Sequence, residues 1–225
     1  GQALTVTWFG VTTLLIDDGV TQILIDGYFS RPSLLDIALE RAIEPDQAAI
    51  EGMLDRFEIN RLKAVIPVHS HFDHALDSAE VAKQTGAQLM GSDTTAQIAA
   101  GSHLPITQIK VIETETIYPV GAFEVTFYPS QHAPLASNSA ISGTVAAPLT
   151  LPAPYTAWKL GQAYTLVIAH PKGRMLIQGS AGFVPGALAE IEVDAVFLGT
   201  GGLPTLPRAH QLAYLDEMVT QRQPK

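Results

Sequence analysis

The 225-residue sequence contains no cysteine, which excludes disulfide bridges and thiolate metal ligands. A metal ion in this protein must therefore be bound by histidine, aspartate or glutamate. Charged residues make up only 16%, a composition that leaves room for an apolar groove on the surface. The net charge of -9 and the lack of a basic run argue against a nucleic-acid partner, because phosphate backbones are bound by clustered Lys and Arg. No apolar run reaches about 18 residues, so no transmembrane segment is expected.

Hydrophobic residues make up 47% of the chain, which is ample for a buried core, and no linker divides it. We therefore predict one domain over residues 1–225. The absence of cysteine fits either the cytoplasm or export to the bacterial cell envelope. The chain enters a strand pattern directly after Gly1 and ends at Lys225 just after a helical pattern, so we expect segments to have been trimmed at both ends. A removed signal peptide or anchor would explain the first end.

Apolar alternation near residues 4–8, 13–17 and 22–26 predicts antiparallel strands. Further strands are expected near 64–68, 87–90, 107–112, 122–128, 163–169, 174–178 and 195–198, the last one buried. Helices are expected near 46–58, 78–84, 94–100 and 208–220. Asp77 and Glu80 have the spacing of a capping box, and Gly86 supplies the end of that helix. Because each half begins with strands and ends with a helix, two sheets packed face to face are favoured over a doubly wound parallel sheet.

The segment 133–157 departs from this pattern, being rich in Ala, Pro, Ser and Thr and almost free of charge. A stretch of that length without regular structure is usually functional or disordered. Because it directly follows His132, we predict a lid or a substrate-facing loop. Tyr155 and Trp158, at its end, either line an apolar pocket or pack in the core.

The stretch "VHSHFDH" at 68–74 contains three of the seven histidines and an aspartate. In an extended chain the side chains of His69 and His71 point the same way, so both imidazoles can reach one cation. Asp73 and His74 stand where the chain turns toward a helix and can reach a second cation. Nitrogen and carboxylate donors without sulfur suit Zn²⁺, with Mn²⁺ or Fe²⁺ as alternatives.

This motif resembles the His-x-His-x-Asp-His signature of the metallo-β-lactamase-fold hydrolases. "WFGVTTLLID" and "ILIDGYFSRP" resemble the paired N-terminal strands of that superfamily, with Asp26 at its early aspartate. "YPSQHAP" around His132 resembles the segment that carries the third histidine of the first metal site. "RMLIQGSAGF" resembles the strand and turn that carry its bridging aspartate. Within the superfamily the chain looks most similar to the branch of ascorbate-6-phosphate lactonase and N-acylphosphatidylethanolamine phospholipase D.

The resemblance implies an α+β fold, a four-layer αββα sandwich of two mixed β-sheets with outer helices. It implies that His69, His71 and His132 bind one metal, and that Asp73 and His74 contribute to another, so that one or two Zn²⁺ ions are bound. Such ions generate hydroxide at neutral pH and polarise the scissile bond. Asp73 would in addition orient the attacking hydroxide. Asp26 would either fix a ligand imidazole or cap the turn at Gly27.

Two features depart from the family pattern. Gly179-Ser180 stands where the bridging aspartate is expected, and a neutral hydroxyl bridges two dications poorly. Ser180 is not a nucleophile of the Gly-x-Ser-x-Gly type, because position 178 is Gln178. The second departure is the C-terminus, where we expect a histidine-bearing strand to be missing. His210 either contacts substrate or the second metal, or is a surface helix residue, and His103 and His170 are expected to be structural.

Two main hypotheses follow. The first is a metal-dependent hydrolase that cleaves an ester, lactone, amide or phosphodiester bond in a small-molecule or lipid-like substrate. The second, motivated by Ser180 and the expected missing strand, is a non-catalytic or single-metal family member with a degraded second site. A nucleic-acid-processing role is disfavoured by the charge.

Overall fold

The computed structural model describes residues 3–134 and 139–225, and the chain falls into two compact units. The first comprises Gly1–Ile112 and Asn138–Gly161, and the second comprises Glu113–Ser137 and Gln162–Lys225. That the whole chain acts as one domain stays a prediction.

The described residues form thirteen strands and six α-helices. The strands are β1 (Thr5–Trp8), β2 (Leu14–Asp17), β3 (Gln22–Ile25), β4 (Ala42–Ile43), β5 (Leu62–Ile66), β6 (Gln88–Gly91), β7 (Ile109–Val111), β8 (Ile117–Val120), β9 (Phe123–Ser130), β10 (Ala153–Pro154), β11 (Ala163–His170), β12 (Gly173–Gln178) and β13 (Ala195–Leu198). The helices are α1 (Leu34–Ala38), α2 (Gln47–Arg56), α3 (Phe72–Ala75), α4 (Ser78–Thr85), α5 (Asp93–Gly101) and α6 (Arg208–Met218).

The first unit is built on a mixed six-stranded sheet of order β1-β2-β3-β5-β6-β7. Its first three strands are antiparallel, as their apolar alternation predicted, and β3, β5, β6 and β7 run parallel. The four residues of β3 are all buried, and so is the end of β5. The chain therefore leaves β5 from the centre of the sheet, directly before the histidine motif. A two-stranded pair, β4 with β10, completes the strands described in this unit.

The start of α4 differs from the prediction. Asp77 occupies the N-cap position but makes no capping bond within the helix. Its carboxylate instead accepts hydrogen bonds from the backbone N–H groups of Phe29 and Ser30, at 2.6 Å each. The capping box was therefore wrong, because a loop 47 residues away offers buried donors that need this acceptor. Gly86 does end the helix, with φ 73°.

The second unit contains a mixed five-stranded sheet of order β13-β12-β11-β9-β8. β12 and β13 are parallel and the remaining pairs are antiparallel. Its apolar core includes Leu176, Leu188 and Tyr214, the last contributed by α6. The prediction of a buried strand at 195–198 was wrong in one respect, since all four residues of β13 are only half-buried. Two mixed sheets with helices confirm the predicted α+β class.

The helices of the described ranges are short. The longest, α6, has 11 residues. None of the helices in residues 3–134 and 139–225 is long and apolar enough to cross a membrane.

Candidate metal centre

His69 and His71 converge in the buried loop that follows β5. His69 Nε2 lies 3.1 Å from His71 Nδ1, and the ring centres are 4.7 Å apart. Both residues are at most 4% exposed. Tetrahedral zinc with bonds of about 2.0–2.1 Å holds two ligand nitrogens roughly 3.3 Å apart, so this pair fits a shared cation. Strand alternation is not the cause, because β5 ends at Ile66 and the loop backbone places the two rings.

His74 lies beside this pair on the short helix α3. Its ring centre is 4.0 Å from that of His69. His74 Nδ1 donates to Asp26 Oδ2 at 2.7 Å, and the second carboxylate oxygen of Asp26 accepts from the Val68 N–H at 2.9 Å. Asp26 thus ties β3 to the start of the motif and to His74. The neighbouring N–H of Gly27 uses the Ile25 carbonyl as its acceptor.

The pKa values of Asp26 and His74 depend on their burial, on each other's charge and on the charge of Asp73. Burial raises the pKa of Asp26, although the adjacent His74 opposes the shift. Burial lowers the pKa of His74, but the carboxylates of Asp26 and Asp73 outweigh it and raise that pKa to about 9. The Asp73 carboxylate lies 3.6 Å from His74 Nε2 and is 40% exposed. Asp73 therefore contacts the buried group and is also exposed to solvent.

The region predicted as a lid is mostly described, apart from residues 135–138, which lie outside the described ranges. Residues 139–161 belong to the first unit and contact its helix α5. Val145 N donates to Thr94 Oγ1, and Leu149 N donates to the Gln97 carbonyl. The ring of His71 contacts this segment, with Nε2 3.2 Å from the Ile141 carbonyl. A substrate-facing function for the segment stays a prediction.

The two aromatic residues at the end of this segment have different environments. Trp158 is fully buried and packs in an apolar cluster with Tyr28 and Ile98, so it is a core residue. Tyr155 is only partly buried, and its ring lies 5.6 Å from that of Phe72, inside the histidine motif. Tyr155 is therefore the one of the two that reaches the surface beside the candidate site.

The Ser180 side chain contacts the backbone directly after His132, within the second unit. His132 follows β9, and its Nδ1 donates to the Ala133 carbonyl at 2.8 Å. Ser180 Oγ accepts the N–H of Ala133 at 2.9 Å. A Cβ on Gly182 would lie 2.2 Å from the His132 carbonyl, so the turn packs tightly on the His132 segment. Ser180 thus supports the backbone beside His132.

His210 lies in the first turn of α6 and is half-buried. Its Nε2 donates to the Ala181 carbonyl at 2.7 Å, and its ring lies 5.6 Å from that of Phe183. The hydrogen bond and the ring contact thus hold His210 against the turn that follows Ser180. Its predicted contact with substrate or a second metal stays a prediction. His103 is exposed in a turn, and His170 packs against Phe123.

Sequence reasoning missed two contributors. Gln178 is buried, and its amide donates to the carbonyls of Ser180 and Gly182, which fixes the turn after β12. The Ile141 carbonyl that contacts His71 was also missed. A backbone group leaves no signature in a sequence, whereas an amide side chain at the buried end of a strand is a usable signal.

Comparison with known proteins supports the family that the histidine motif indicates. Residues 6–225 match the family model of the metallo-beta-lactamase superfamily. The chain therefore belongs to that superfamily, as the histidine motif and the flanking strands predicted. Its place in the lactonase and phospholipase branch stays a prediction.

Individual relatives are distant. A UPF0173 metal-dependent hydrolase of Pyrobaculum islandicum is 24% identical over 214 residues, which cover 92% of this chain and 77% of the relative. Another, of Methylobacterium nodulans, is 27% identical over 147 residues, or 65% of this chain and 54% of that protein. This chain thus spans about three quarters of the first relative and about half of the second.

Two solved structures share the fold. The diiron β-hydroxylase CmlA of Streptomyces venezuelae aligns with a TM-score of 0.57 and 14% identity, covering 100% of this chain and 44% of CmlA. A variant metallo-beta-lactamase of Cronobacter sakazakii aligns with a TM-score of 0.50 and 14% identity, covering 93% of this chain and 84% of that one. These likenesses establish the metallo-β-lactamase fold and nothing finer.

Proposed function

We propose that this protein is a metal-dependent hydrolase whose centre is built on the motif at 68–74. The observation that carries the proposal is the buried approach of His69 Nε2 and His71 Nδ1 to 3.1 Å. Two imidazole nitrogens at that separation suit a shared cation. The distant relatives named as metal-dependent hydrolases support the same conclusion.

The proposed ligands follow from the family pattern together with these contacts. His69, His71 and His132 would hold one metal, and Asp73 and His74 would contribute to a second. Zn²⁺ is favoured because all the donors are imidazole or carboxylate, with Mn²⁺ or Fe²⁺ as alternatives. Asp26 would act through His74, since its carboxylate holds that ring and the Val68 N–H at once.

The metal, when bound, lowers the pKa of water to about 7 and polarises the substrate bond. The side chains of the chain have separate tasks. Asp73, which is 40% exposed, would orient the attacking water and accept its proton. His74 would keep its position through the 2.7 Å bond to Asp26. His210 is a further candidate for contact with the substrate.

An aromatic surface beside Asp73 supports a substrate with an apolar portion. The ring of Phe72 lies 6.0 Å from Tyr28 and 5.6 Å from Tyr155, both at edge-on angles. Phe72 and Tyr155 are only partly buried, so their rings can contact a ligand. A small-molecule or lipid-like ester, lactone, amide or phosphodiester fits such a surface.

The test is turnover by the metal-loaded protein. Purified protein should bind at least one zinc per chain and cleave a substrate in panels of chromogenic esters, lactones, amides and phosphodiesters. His71→Ala should lose both metal and activity. His103→Ala, at an exposed turn, is the control and should retain both. No turnover across the panels by protein that carries its metal would contradict the proposal.

The second candidate is a single-metal or non-catalytic member, and one observation favours it. Ser180, where the family has a bridging aspartate, uses its hydroxyl to accept the Ala133 N–H. Elemental analysis distinguishes the candidates in part: two metals per chain would favour the two-metal enzyme. A gain of a second metal in Ser180→Asp would identify position 180 as the degraded ligand.

A further inference from the structure

We propose that Arg31 binds a carboxylate or phosphate group of the substrate, so that the protein selects anionic substrates. The inference rests on the proposed function, because it treats the histidine motif as the place of hydrolysis. Arg31, the aromatic rings beside it and the motif all belong to the first unit.

The Arg31 guanidinium is held on two sides. Its Nη2 donates to the Phe9 carbonyl at 2.8 Å, and its Cζ lies 4.5 Å from the centre of the Tyr28 ring. Gly10, with a φ of +99°, leaves room for this contact, since a Cβ there would lie 3.2 Å from Arg31 Nη2. An arginine that is already fixed loses less conformational entropy when it binds an anion.

The backbone that carries Arg31 is anchored as well. Arg31 has a φ of +50°, an uncommon value for a residue other than glycine. The two residues before it, Phe29 and Ser30, donate their N–H groups to the buried Asp77 carboxylate at 2.6 Å each. The Ser30 hydroxyl donates to the same carboxylate. The loop is therefore attached to the start of α4, which keeps the guanidinium in place.

The Arg31 side chain is exposed and retains N–H donors for a ligand. In the described part of the chain, it donates one hydrogen bond, to the Phe9 carbonyl, and forms no ion pair. By contrast, ion pairs with carboxylates at 4.0 Å or less are formed by Arg41, Arg61 and Arg222. A guanidinium presents its donors in a planar fork that matches two oxygens of a carboxylate or phosphate. Arg31 is thus suited to bind an anion from outside the chain.

Arg31 lies close enough to the motif to share a substrate with it. The Tyr28 ring that it covers lies 6.0 Å, centre to centre, from the ring of Phe72, the residue before Asp73. Burial and the Arg31 charge both lower the pKa of His74, although nearby carboxylates outweigh them. A substrate whose scissile bond lies beside Asp73 can therefore place an anionic group at Arg31 and an apolar portion against the two rings.

The first experiment follows anion binding without turnover. Sodium phosphate and sodium acetate are titrated separately into the ¹⁵N-labelled full chain, freed of metal so that the anions cannot bind a metal instead. The arginine Nε–H signals are recorded by ¹H–¹⁵N NMR, and Arg31→Met identifies the signal of Arg31. That signal should shift saturably, at a concentration at least about 10-fold below the one that Arg56 requires.

Arg56 is the internal control in this titration, because it is also exposed and lies over an aromatic ring, 5.4 Å from the centre of Phe57. The anion with the lower half-saturating concentration identifies the group that Arg31 binds. Equal responses of Arg31 and Arg56 to both anions would overturn the proposal.

The second experiment measures selectivity with two esters that share a 4-nitrophenyl leaving group. The charged ester is mono-4-nitrophenyl glutarate, or its analogue with a phosphate in place of the carboxylate if phosphate binds more tightly in the titration. The neutral ester is the corresponding methyl ester. The ratio of their kcat/KM values, charged over neutral, should fall about 10- to 100-fold in Arg31→Met, the range that hydrogen bonds to charged groups contribute.

Two further variants complete the comparison. Arg31→Lys, which keeps the charge but lacks the planar fork, should lower the ratio less than Arg31→Met. Arg56→Met is the matched control and should leave the ratio unchanged. A purely structural role of Arg31 would lower both kcat/KM values together, so an unchanged ratio in Arg31→Met would overturn the proposal. If neither ester is hydrolysed, the ester form of the proposed function fails, while the titration still decides whether Arg31 binds anions.

Discussion

Asp26 and His74 form a hydrogen-bonded pair at 2.7 Å in the interior of the first unit, with Asp26 fully buried and the His74 side chain 4% exposed. The other carboxylate oxygen of Asp26 accepts the Val68 N–H. One side chain therefore satisfies a backbone donor at the start of the histidine motif and orients a candidate ligand within it. Removing it should therefore lower stability and weaken metal binding, and substitutions can separate the two effects.

Asp26→Ala should lower the free energy of unfolding by about 3–5 kcal/mol, because it leaves His74 and the Val68 N–H buried without their acceptor. Asp26→Asn keeps an acceptor for Val68, so it should cost less stability but still weaken zinc binding about 10- to 100-fold. Urea denaturation and chelator competition measure the two quantities. Asp55→Asn, at an exposed position of α2, is the control. Unchanged zinc affinity in folded Asp26→Asn would contradict a positioning role.

Ser180→Ala should lower the free energy of unfolding by about 1–3 kcal/mol, since the Ala133 N–H then loses its acceptor. Zinc affinity should fall with it, because that N–H belongs to the backbone next to His132. Ser102→Ala is a suitable control: its hydroxyl donates to the Ile98 carbonyl at the end of α5. Thermal or urea unfolding of the metal-free variants gives the first effect, and chelator competition gives the second. If Ser180→Ala matches the control in both assays, the Ser180 hydroxyl is not needed to hold the backbone next to His132.

The sequence predicted the elements whose signal is local. β1, β2 and β3 were placed within one residue, because each is a short apolar run bounded by polar or turn residues. The four-residue helix α3 was missed, since one turn is too short to show a helical period. The hairpin strand β8 was missed for a related reason, as only one of its four residues is buried.

Contacts between distant parts of the chain were beyond sequence reasoning. Asp77 has the local pattern of a helix cap, yet its partners Phe29 and Ser30 lie 48 and 47 residues away. The Ile141 carbonyl is 70 residues from His71. The approach of His69 and His71 was predicted, but for strand geometry that the loop does not have. Motif composition thus identified the candidate ligands, while their orientation depends on backbone groups that no motif encodes.

Variants of His210 test whether this histidine takes part in proton transfer. Its Nε2 donates to the Ala181 carbonyl at 2.7 Å, which is a positioning contact. If that contact is its main contribution, His210→Gln, which retains an N–H donor, should keep kcat within a few-fold of the wild type, whereas His210→Ala should lose stability. Equal losses of kcat in both variants, with one limb missing from the pH–rate profile, would instead indicate a catalytic histidine.

The raised pKa of Asp77 predicts that the stability of the protein depends on pH. Burial raises its pKa to about 6, although the hydrogen bonds from Ser30 and Phe29 oppose the shift. In the unfolded chain an aspartate has a pKa near 3.9, so between about pH 4 and 6 the folded protein holds a proton that the unfolded chain has released. The stabilisation from this group is therefore fully present below about pH 4 and is lost as the pH rises to about 6.

The variant Asp77→Asn isolates this contribution because its amide does not titrate. The free energy of unfolding of the wild type, minus that of the variant, should fall by roughly 3 kcal/mol between pH 3 and pH 7, at 1.36 kcal/mol for each pKa unit. Urea denaturation of both proteins at closely spaced pH values measures the difference, with Asp55→Asn as the exposed control on α2. A difference that rises over this range would mean that the Phe29 N–H, the Ser30 N–H and the Ser30 hydroxyl stabilise the charged carboxylate more strongly than burial opposes it.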